Sequence, residues 1–148
     1  MKVKSERAEI SPLVVSFWLL AAALATYYNS FRNAFQLDDF HIAVNNPWVH
    51  SLRNVPRFFV DPFTFSTIQS NADYRPLLSA TYALNYAISQ DHPWSWHAFS
   101  LLLHITVAIS VFYLGRTLFG RNRIVSISWL SEEDGELISF GAAILFVV

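Results

Sequence analysis

Two long apolar stretches dominate the pattern of hydrophobic and polar residues along the chain. The first runs from Ile10 to Tyr28 and the second from His97 to Gly115, and neither contains Asp, Glu, Lys or Arg. Each has 19 residues, and a helix of that length covers about 28 Å, close to the thickness of a hydrocarbon core. The pattern therefore predicts transmembrane helices over residues 10–28 and 97–115.

Basic residues flank the outer ends of this helix pair. The positive-inside rule places such ends in the cytoplasm. It predicts a cytoplasmic tail over residues 1–9, an extracytoplasmic loop over 29–96 and a cytoplasmic loop over 116–136. The basic residues are Lys2, Lys4 and Arg7 before the first helix, and Arg116, Arg121 and Arg123 after the second.

A third apolar stretch covers residues 137–148 and follows the acidic sequence SEEDGE. These 12 residues are too few to span a bilayer, so we interpret them as the start of a third transmembrane helix. From this we infer that the chain is the amino-terminal piece of a larger polytopic protein. An alternative for the first stretch is a cleaved signal peptide, because Ala23–Ala25 has the small-x-small form and predicts a mature start near Thr26.

The loop over residues 29–96 is rich in aromatic and aliphatic residues, unlike a disordered linker. Its sequence DDFHIAVNN predicts a short helix with Asp38 as the N-cap. Residues 76–90 predict a longer helix with proline at its first position. Apolar side chains recur along that helix at intervals of three and four, so we expect interfacial helices lying on the membrane face. The apolar stripe comprises Leu77, Thr81, Leu84 and Ile88.

The composition agrees with the class that this pattern defines, an all-α integral membrane protein. Hydrophobic residues make up 53% of the chain and charged residues 14%, against about 25% charged residues in an average soluble domain. A net charge of −1, with no nucleic-acid-binding motif, argues against a nucleic-acid partner. The chain has no cysteine, which excludes disulfides and thiolate metal sites.

The candidate chemistry lies in the loop, where Asp38, Asp39 and His41 interrupt an apolar run. One interpretation is structural: Asp38 caps a helix and Asp39 lies in its first turn, where the helix dipole favours an anion. The other is catalytic, since a carboxylate near the membrane surface can act as a general base on an acceptor hydroxyl. Adjacent helical positions point about 100° apart, so one acid at most can aim at a given atom, whereas Asp38 and His41 share a face. A metal site built from these three residues is a weaker alternative, because D-D-x-H is a poor metal signature.

Two further residues carry candidate roles. Arg75 precedes the predicted helix over residues 76–90, where a guanidinium and helix N–H groups can bind a phosphate; the alternative is an arginine that snorkels to the interface. His104 lies inside the second apolar stretch, on one helical face with His97 and Ser100. Polar groups at that depth line a cavity or bond to a neighbouring helix.

Three sequences in this order make the chain recognisable: FQLDDFHIAVNNPWV over 35–49, YRPLLSATYALNYAIS over 74–89 and WHAFSLLLHI over 96–105. Together they resemble the amino-terminal part of the polytopic GT-C glycosyltransferases. The closest likeness is to membrane mannosyltransferase-like proteins that often carry tetratricopeptide repeats downstream. The acid-acid-x-His pattern over 38–41 also resembles the first-loop motif of the protein O-mannosyltransferases.

This resemblance, which covers about residues 10–118, implies an inverting enzyme. It would transfer mannose or a similar hexose from a polyprenyl-phosphate carrier to an acceptor hydroxyl on the extracytoplasmic side. Asp38 is then the catalytic base, and Asp39 assists it or binds the acceptor. The candidate substrate-binding residues are His41, Tyr74, Arg75 and His104; no residue is assigned to a metal, and a requirement for a divalent ion stays open.

We therefore expect a multi-pass membrane protein whose partners are the lipid membrane, the polyprenyl-phosphate sugar donor and a protein or glycan acceptor. The expected location is a bacterial inner membrane, or the endoplasmic reticulum membrane if the protein is eukaryotic. The further spans and repeats of the family are absent from this sequence, so we do not expect the chain to act alone. The alternative function is a non-catalytic anchor or scaffold whose extracytoplasmic loop docks a partner.

Overall fold

The structure, a computed structural model, describes residues 11–119 and 131–148. Every regular element in these two ranges is helical, and they contain no β-strand. The α-helices within them are α1 (Pro12–Tyr27), α2 (Val55–Phe58), α3 (Pro76–Ser89), α4 (Pro93–Phe119) and α5 (Glu132–Val147). A π-helix at Phe40–Val44 lies between α1 and α2, and short 3-10 helices occur at Tyr28–Arg32, Leu52–Asn54, Pro62–Thr64 and Gln69–Asn71.

Two helices of the described part of the chain are long and apolar enough to cross a membrane. Pro12–Arg32, which includes the 3-10 turn after α1, has a mean hydropathy of 1.4, and Pro93–Phe119 has 1.9. The core helix of a soluble protein is mostly buried, whereas only 17% of the apolar window of each helix is buried here. For the described residues, the predicted all-helical class and the two candidate spans are confirmed.

The second candidate span is longer than its apolar stretch. α4 begins at Pro93, before His97, and continues past Gly115 to Phe119. Proline is favoured in the first turn of a helix, because a backbone N–H at that position would have no partner within the helix and its absence costs nothing. The added first turn also brings Trp94 and Trp96 into α4.

α5 begins at Glu132, before the apolar stretch over residues 137–148. Ser131 and Asp134 form a capping box there, in which each side chain accepts the backbone N–H of the other residue. This box explains why the acidic sequence is helical and not a loop. The predicted tail over residues 1–9, Ile10 and residues 120–130 of the predicted cytoplasmic loop lie outside the described residues, and the sidedness of every segment stays a prediction.

The chain forms two compact units, and the first contains α1, α5 and the part of α4 from Leu101 onward. We call this part the helix unit. α1 buries every fourth residue, at Val15, Leu19 and Ala23, and packs against α5. Most of its other large apolar side chains remain exposed, among them Phe17. An apolar surface all around a helix is typical of a membrane span.

The second unit comprises Asn29–Ser100 and is called the loop unit below. Its core is formed by Val49, Phe58 and Ala83, and α2 packs against α3 around it. These contacts join three segments that are far apart in the sequence. The segment between the two apolar stretches therefore has its own folded core.

α3 inverts the usual arrangement of a surface helix. Small and polar residues, including Ser79, Ala83 and Ser89, are buried, whereas Leu77 and Ile88 are 72% and 60% exposed. A helix on the surface of a soluble protein buries its apolar face instead. The apolar stripe recognised in the sequence therefore lies largely on the exposed side of α3.

Candidate functional site

The acidic motif lies in a tight turn that leads into the π-helix. Leu37 has a φ of 44°, a left-handed backbone conformation, so the chain reverses just before the two acids. The Oδ2 atom of Asp39 accepts a hydrogen bond from the backbone N–H of Gln36 at 3.0 Å. This bond closes the turn from within, as aspartate side chains commonly do.

The prediction that the Asp38 side chain caps a helix is wrong. The N-cap of the π-helix is Asp39, and its side chain makes no capping bond. Asp38 contributes its backbone carbonyl, which accepts the N–H groups of His41 and Ile42 at 3.1 Å each. Its carboxylate is therefore directed elsewhere.

Asp38 and His41 lie on one face of the turn, as their spacing predicts. Asp38 Oδ1 is 3.4 Å from His41 Nε2, and the side chains are 85% and 17% exposed, respectively. The distance is at the long end for a hydrogen bond, and the carboxylate keeps most of its surface open to solvent. The site thus presents an accessible acid with a largely buried imidazole at its back.

His41 is in turn held by the segment that follows the 3-10 helix at Pro62–Thr64. Its Nδ1 lies 3.0 Å from Ser66 Oγ. The backbone carbonyl of His41 accepts the N–H of Thr67 at 3.0 Å and its hydroxyl at 3.3 Å. Side chain and backbone of the histidine are therefore fixed to the same segment.

A buried amide provides the second link between these segments. The side chain of Asn46 is fully buried, and its Nδ2 donates to the carbonyls of Ile42, Thr64 and Phe65 at 3.0 to 3.2 Å. Its Oδ1 accepts the backbone N–H of Trp48 at 3.2 Å. Buried polar groups need hydrogen-bond partners. The Asn46 side chain therefore fixes the position of the π-helix relative to the segment around Ser66.

Arg75 and Tyr74 lie directly before α3. Arg75 Nε is 2.6 Å from Asp73 Oδ2, and its guanidinium carbon is 5.5 Å from the centroid of the Phe65 ring. A guanidinium carries five N–H donors, so one ion pair does not exhaust its capacity to bind an anion. The Tyr74 hydroxyl donates to the backbone carbonyl of Phe59 at 3.0 Å, and its ring is exposed.

Tyr82 connects the acidic motif with Arg75 electrostatically. Burial raises the pKa of the Tyr82 phenol, the negative charge of Asp39 raises it further, and the positive charge of Arg75 lowers it. Both charges therefore influence the pKa of the phenol, in opposite directions. The ring of Tyr82 also packs against Trp96, with 5.4 Å between centroids. Asp39, Tyr82 and Arg75 all belong to the loop unit, and the charges of the two ionic residues both influence the pKa of Tyr82.

His104 belongs to the helix unit. Its Nε2 lies 3.4 Å from the backbone carbonyl of Val147, and its ring centroid is 5.3 Å from that of Tyr27 and 4.9 Å from that of Phe146. These are contacts between helices, one of the two uses that the sequence left open. A role of His104 in substrate binding stays a prediction.

The described residues contain no group of three or more His, Cys, Asp and Glu side chains arranged to hold a metal ion. The alternative metal site at Asp38, Asp39 and His41 is not assembled, because the Asp39 carboxylate turns to the backbone of Gln36.

Three residues of this region were not recognised in the sequence: Asn46, Ser66 and Tyr82. Ser66 is 25 positions from His41, and no motif links the two. Asn46 lies within the recognised sequence over 35–49. Because Asn45 stands next to it, the sequence does not indicate which of the two asparagines is buried. Only the folded loop unit reveals these three side chains as parts of the site.

The fold and the site define a class: the described residues are all-helical, with two candidate membrane spans and, between them in the sequence, an exposed aspartate beside a largely buried imidazole. The comparisons with known proteins are more specific. This chain is a homologue of the protein O-mannosyl-transferases of the TMTC group, which confirms the resemblance inferred from its motifs.

Three relatives illustrate the match. The chain is 31% identical to protein O-mannosyl-transferase F38B6.6 of Caenorhabditis elegans over 134 residues, which is 88% of this chain and 18% of that protein. It is 35% identical to human protein O-mannosyl-transferase TMTC2 over 94 residues, 59% of this chain and 11% of that protein. It is 29% identical to human protein O-mannosyl-transferase TMTC3 over 94 residues, 62% of this chain and 10% of that protein.

The chain therefore spans between 10% and 18% of the length of these relatives. No model of a protein family matches it. No solved structure matches it either.

Proposed function

We propose that this chain forms part of a membrane glycosyltransferase that moves mannose or a similar hexose to an acceptor hydroxyl. The observation that carries the proposal is the exposed Asp38 carboxylate beside His41, in a chain whose homologues are named O-mannosyl-transferases. In the proposed reaction, the acceptor oxygen attacks the anomeric carbon of a polyprenyl-phosphate-linked sugar, with inversion. The bond from that carbon to the phosphate oxygen breaks, polyprenyl phosphate leaves with the electron pair, and Asp38 takes the acceptor proton.

Asp38 is the better base of the two acids because its carboxylate is the more accessible. A general base must come within hydrogen-bond reach of the proton it removes. The side chain of Asp38 is 85% exposed, whereas Asp39 is only partly exposed and its Oδ2 closes the turn at Gln36. We assign to Asp39 the supporting role, through the turn that directs its neighbour.

The four candidate substrate-binding residues differ in the groups that they can offer to a substrate. His41 touches the proposed base directly, and Arg75 has donors left for the departing phosphate beyond its ion pair with Asp73. For Tyr74, the exposed ring is the part available to a substrate, since the hydroxyl donates within the loop unit. For His104, a substrate group would bind to Nε2 by replacing the backbone carbonyl of Val147 in the helix unit.

The proposal includes a membrane setting. α1 and α4 are proposed to span the bilayer, with the loop unit on the extracytoplasmic side in a GT-C-like arrangement. The exposed apolar stripe of α3 supports an interfacial position, because Leu77 and Ile88 would otherwise face water. The relatives named above come from animals, which favours the endoplasmic reticulum membrane as the location.

The test replaces Asp38 with Asn in the full-length protein, reconstituted in vesicles with a polyprenyl-phosphate sugar and an acceptor. We expect kcat to fall by about 100-fold or more, the typical contribution of a positioned base. Asp91→Asn is the matched control, because it makes the same change at an exposed aspartate of the same unit and should leave transfer unchanged. Wild-type turnover in the Asp38→Asn variant would remove the proposed base and favour the non-catalytic scaffold.

A further inference from the structure

Ser66 is a buried hydroxyl with two polar neighbours in the loop unit. Its side chain is only 5% exposed. Ser66 Oγ accepts the backbone N–H of Ile68 at 2.9 Å and lies 3.0 Å from Nδ1 of His41. The hydroxyl can donate to His41 Nδ1 or accept from it, and the tautomer of the imidazole decides which.

The Asp38 carboxylate on the other side of the ring selects the tautomer of the imidazole, because a carboxylate oxygen can only accept a hydrogen bond. When the Ser66 O–H donates to His41 Nδ1, that nitrogen must present its lone pair. The proton of the neutral ring then resides on Nε2, the nitrogen that lies 3.4 Å from Asp38 Oδ1. His41 can therefore donate to the Asp38 carboxylate, whereas the opposite tautomer would set two acceptors against each other.

We propose that Ser66 is a positioning residue, which acts through His41 to orient the carboxylate of Asp38. The inference rests on the proposed function, in which Asp38 is the base. A carboxylate that is 85% exposed has few contacts to fix its direction, so the nearby donor at His41 Nε2 is the contact through which it can be oriented. Ser66 itself does not contact the substrate.

Several hydrogen bonds besides those of the Ser66 hydroxyl hold its segment in place. The neighbouring Thr67 is bonded to the carbonyl of His41 through its backbone N–H at 3.0 Å. Asn46 also holds the carbonyls of Thr64 and Phe65 at 3.0 and 3.1 Å. Removing the Ser66 hydroxyl should therefore leave His41 Nδ1 without the partner that holds the imidazole ring, and should leave the segment in place.

The test compares kcat and KM of the full-length protein in vesicles for Ser66→Ala, His41→Ala and the double variant. We expect Ser66→Ala to lower kcat by about tenfold, the usual scale for the loss of an outer orienting partner, with KM within about twofold. In the His41→Ala background, Ser66→Ala should have no further effect, because the residue through which it acts is gone.

Thr67→Ala is the matched control, since it removes a hydroxyl that bonds only to the backbone of His41 at 3.3 Å. Its kcat should equal that of the wild type. Three results would overturn the inference: unchanged kcat in Ser66→Ala, an equal loss in Thr67→Ala, or a loss from Ser66→Ala that persists without His41. Asp38→Asn measured in parallel separates the two claims, because a dead Asp38→Asn with an unaffected Ser66→Ala refutes the role of Ser66 alone.

Discussion

Asp39 accepts the backbone N–H of Gln36 at 3.0 Å and so closes the turn that directs Asp38 toward His41. Two adjacent carboxylates of one motif therefore have different partners. Asp39 is bonded to the backbone and its charge influences Tyr82, whereas Asp38 is largely exposed to solvent. This division of roles leads to the first prediction.

The phenol of Tyr82 should report the charges around it. Burial is the largest cause of its raised pKa, followed by the negative charge of Asp39, while Arg75 acts in the opposite direction. Asp39→Asn removes a charge that disfavours tyrosinate and should lower the pKa of Tyr82, whereas Arg75→Gln should raise it. The measurement is tyrosinate absorbance against pH, with Tyr82→Phe subtracted to isolate this residue.

The sign for stability follows from the same shift. Because the folded-state pKa of Tyr82 is raised, its stabilising effect is complete below the unfolded value of about 10 and is lost as pH rises through the folded pKa. Tyr82→Phe should therefore lose less stability on the alkaline side than the wild type. An Asp39→Asn variant with the wild-type pKa at Tyr82 would show that the two groups are not close.

The second prediction concerns Asn46. Its Nδ2 donates to three backbone carbonyls in a fully buried position, so Asn46→Ala leaves several acceptors without a donor. We expect the free energy of unfolding to fall by about 3 kcal/mol, measured by denaturant unfolding of the detergent-solubilised protein. The neighbouring Asn45 is exposed, and Asn45→Ala should change stability by less than about 0.5 kcal/mol. Equal effects of the two substitutions would contradict the role of the buried amide.

Contacts within one turn of helix could be predicted from the sequence, and contacts across the loop unit could not. The three-residue spacing of Asp38 and His41 places them on one face in either an α-helix or the observed turn. The bond from His41 to Ser66 crosses 25 positions, and it depends on how the turn after Pro62–Thr64 packs against the π-helix. Sequence periodicity carries no information about such a pairing.

The helical spans show the same limit in another form. Hydropathy located both long helices, because an apolar run of that length has few other stable structures. The acidic stretch was predicted to be a loop, so the start of α5 was missed. The capping box at Ser131 and Asp134 stabilises the first turn of the helix there. Similarly, the segment Phe40–Val44 was predicted as a short helix of unspecified type. A sequence of five residues does not reveal whether its hydrogen bonds join residues four or five positions apart.

The third prediction concerns the close approach of α4 and α5 in the helix unit. A Cβ atom added at Gly115 would lie 2.8 Å from Ser139 Oγ, 2.9 Å from its Cβ and 3.1 Å from its Cα. Backbone atoms on both sides cannot yield easily, so Gly115→Ala should destabilise the helix unit by about 1 to 3 kcal/mol. Thermal unfolding in detergent, followed by circular dichroism, measures the change.

Gly141 provides the matched control for this substitution. A Cβ there meets no atom within 4 Å, so Gly141→Ala should be neutral or stabilise the helix by up to about 1 kcal/mol. Adding Ser139→Gly to Gly115→Ala removes the obstructing side chain and should recover part of the lost stability. If Gly115→Ala is as stable as Gly141→Ala, the two helices do not approach as closely as described.

The final prediction tests the side of the membrane on which Asp38 lies. The chain has no cysteine, so single cysteines can be introduced at the exposed residues Ser70 and Glu133 without a background. Because residues 29–100 form one compact unit, the side of Ser70 is also the side of Asp38. In sealed microsomes, an impermeant maleimide should label Glu133→Cys at once, and Ser70→Cys only after the membrane is permeabilised, as the positive-inside rule requires. Labelling of Ser70→Cys in sealed microsomes would place the acidic motif in the cytosol, away from an extracytoplasmic sugar donor, and the proposed reaction would then lack its substrate.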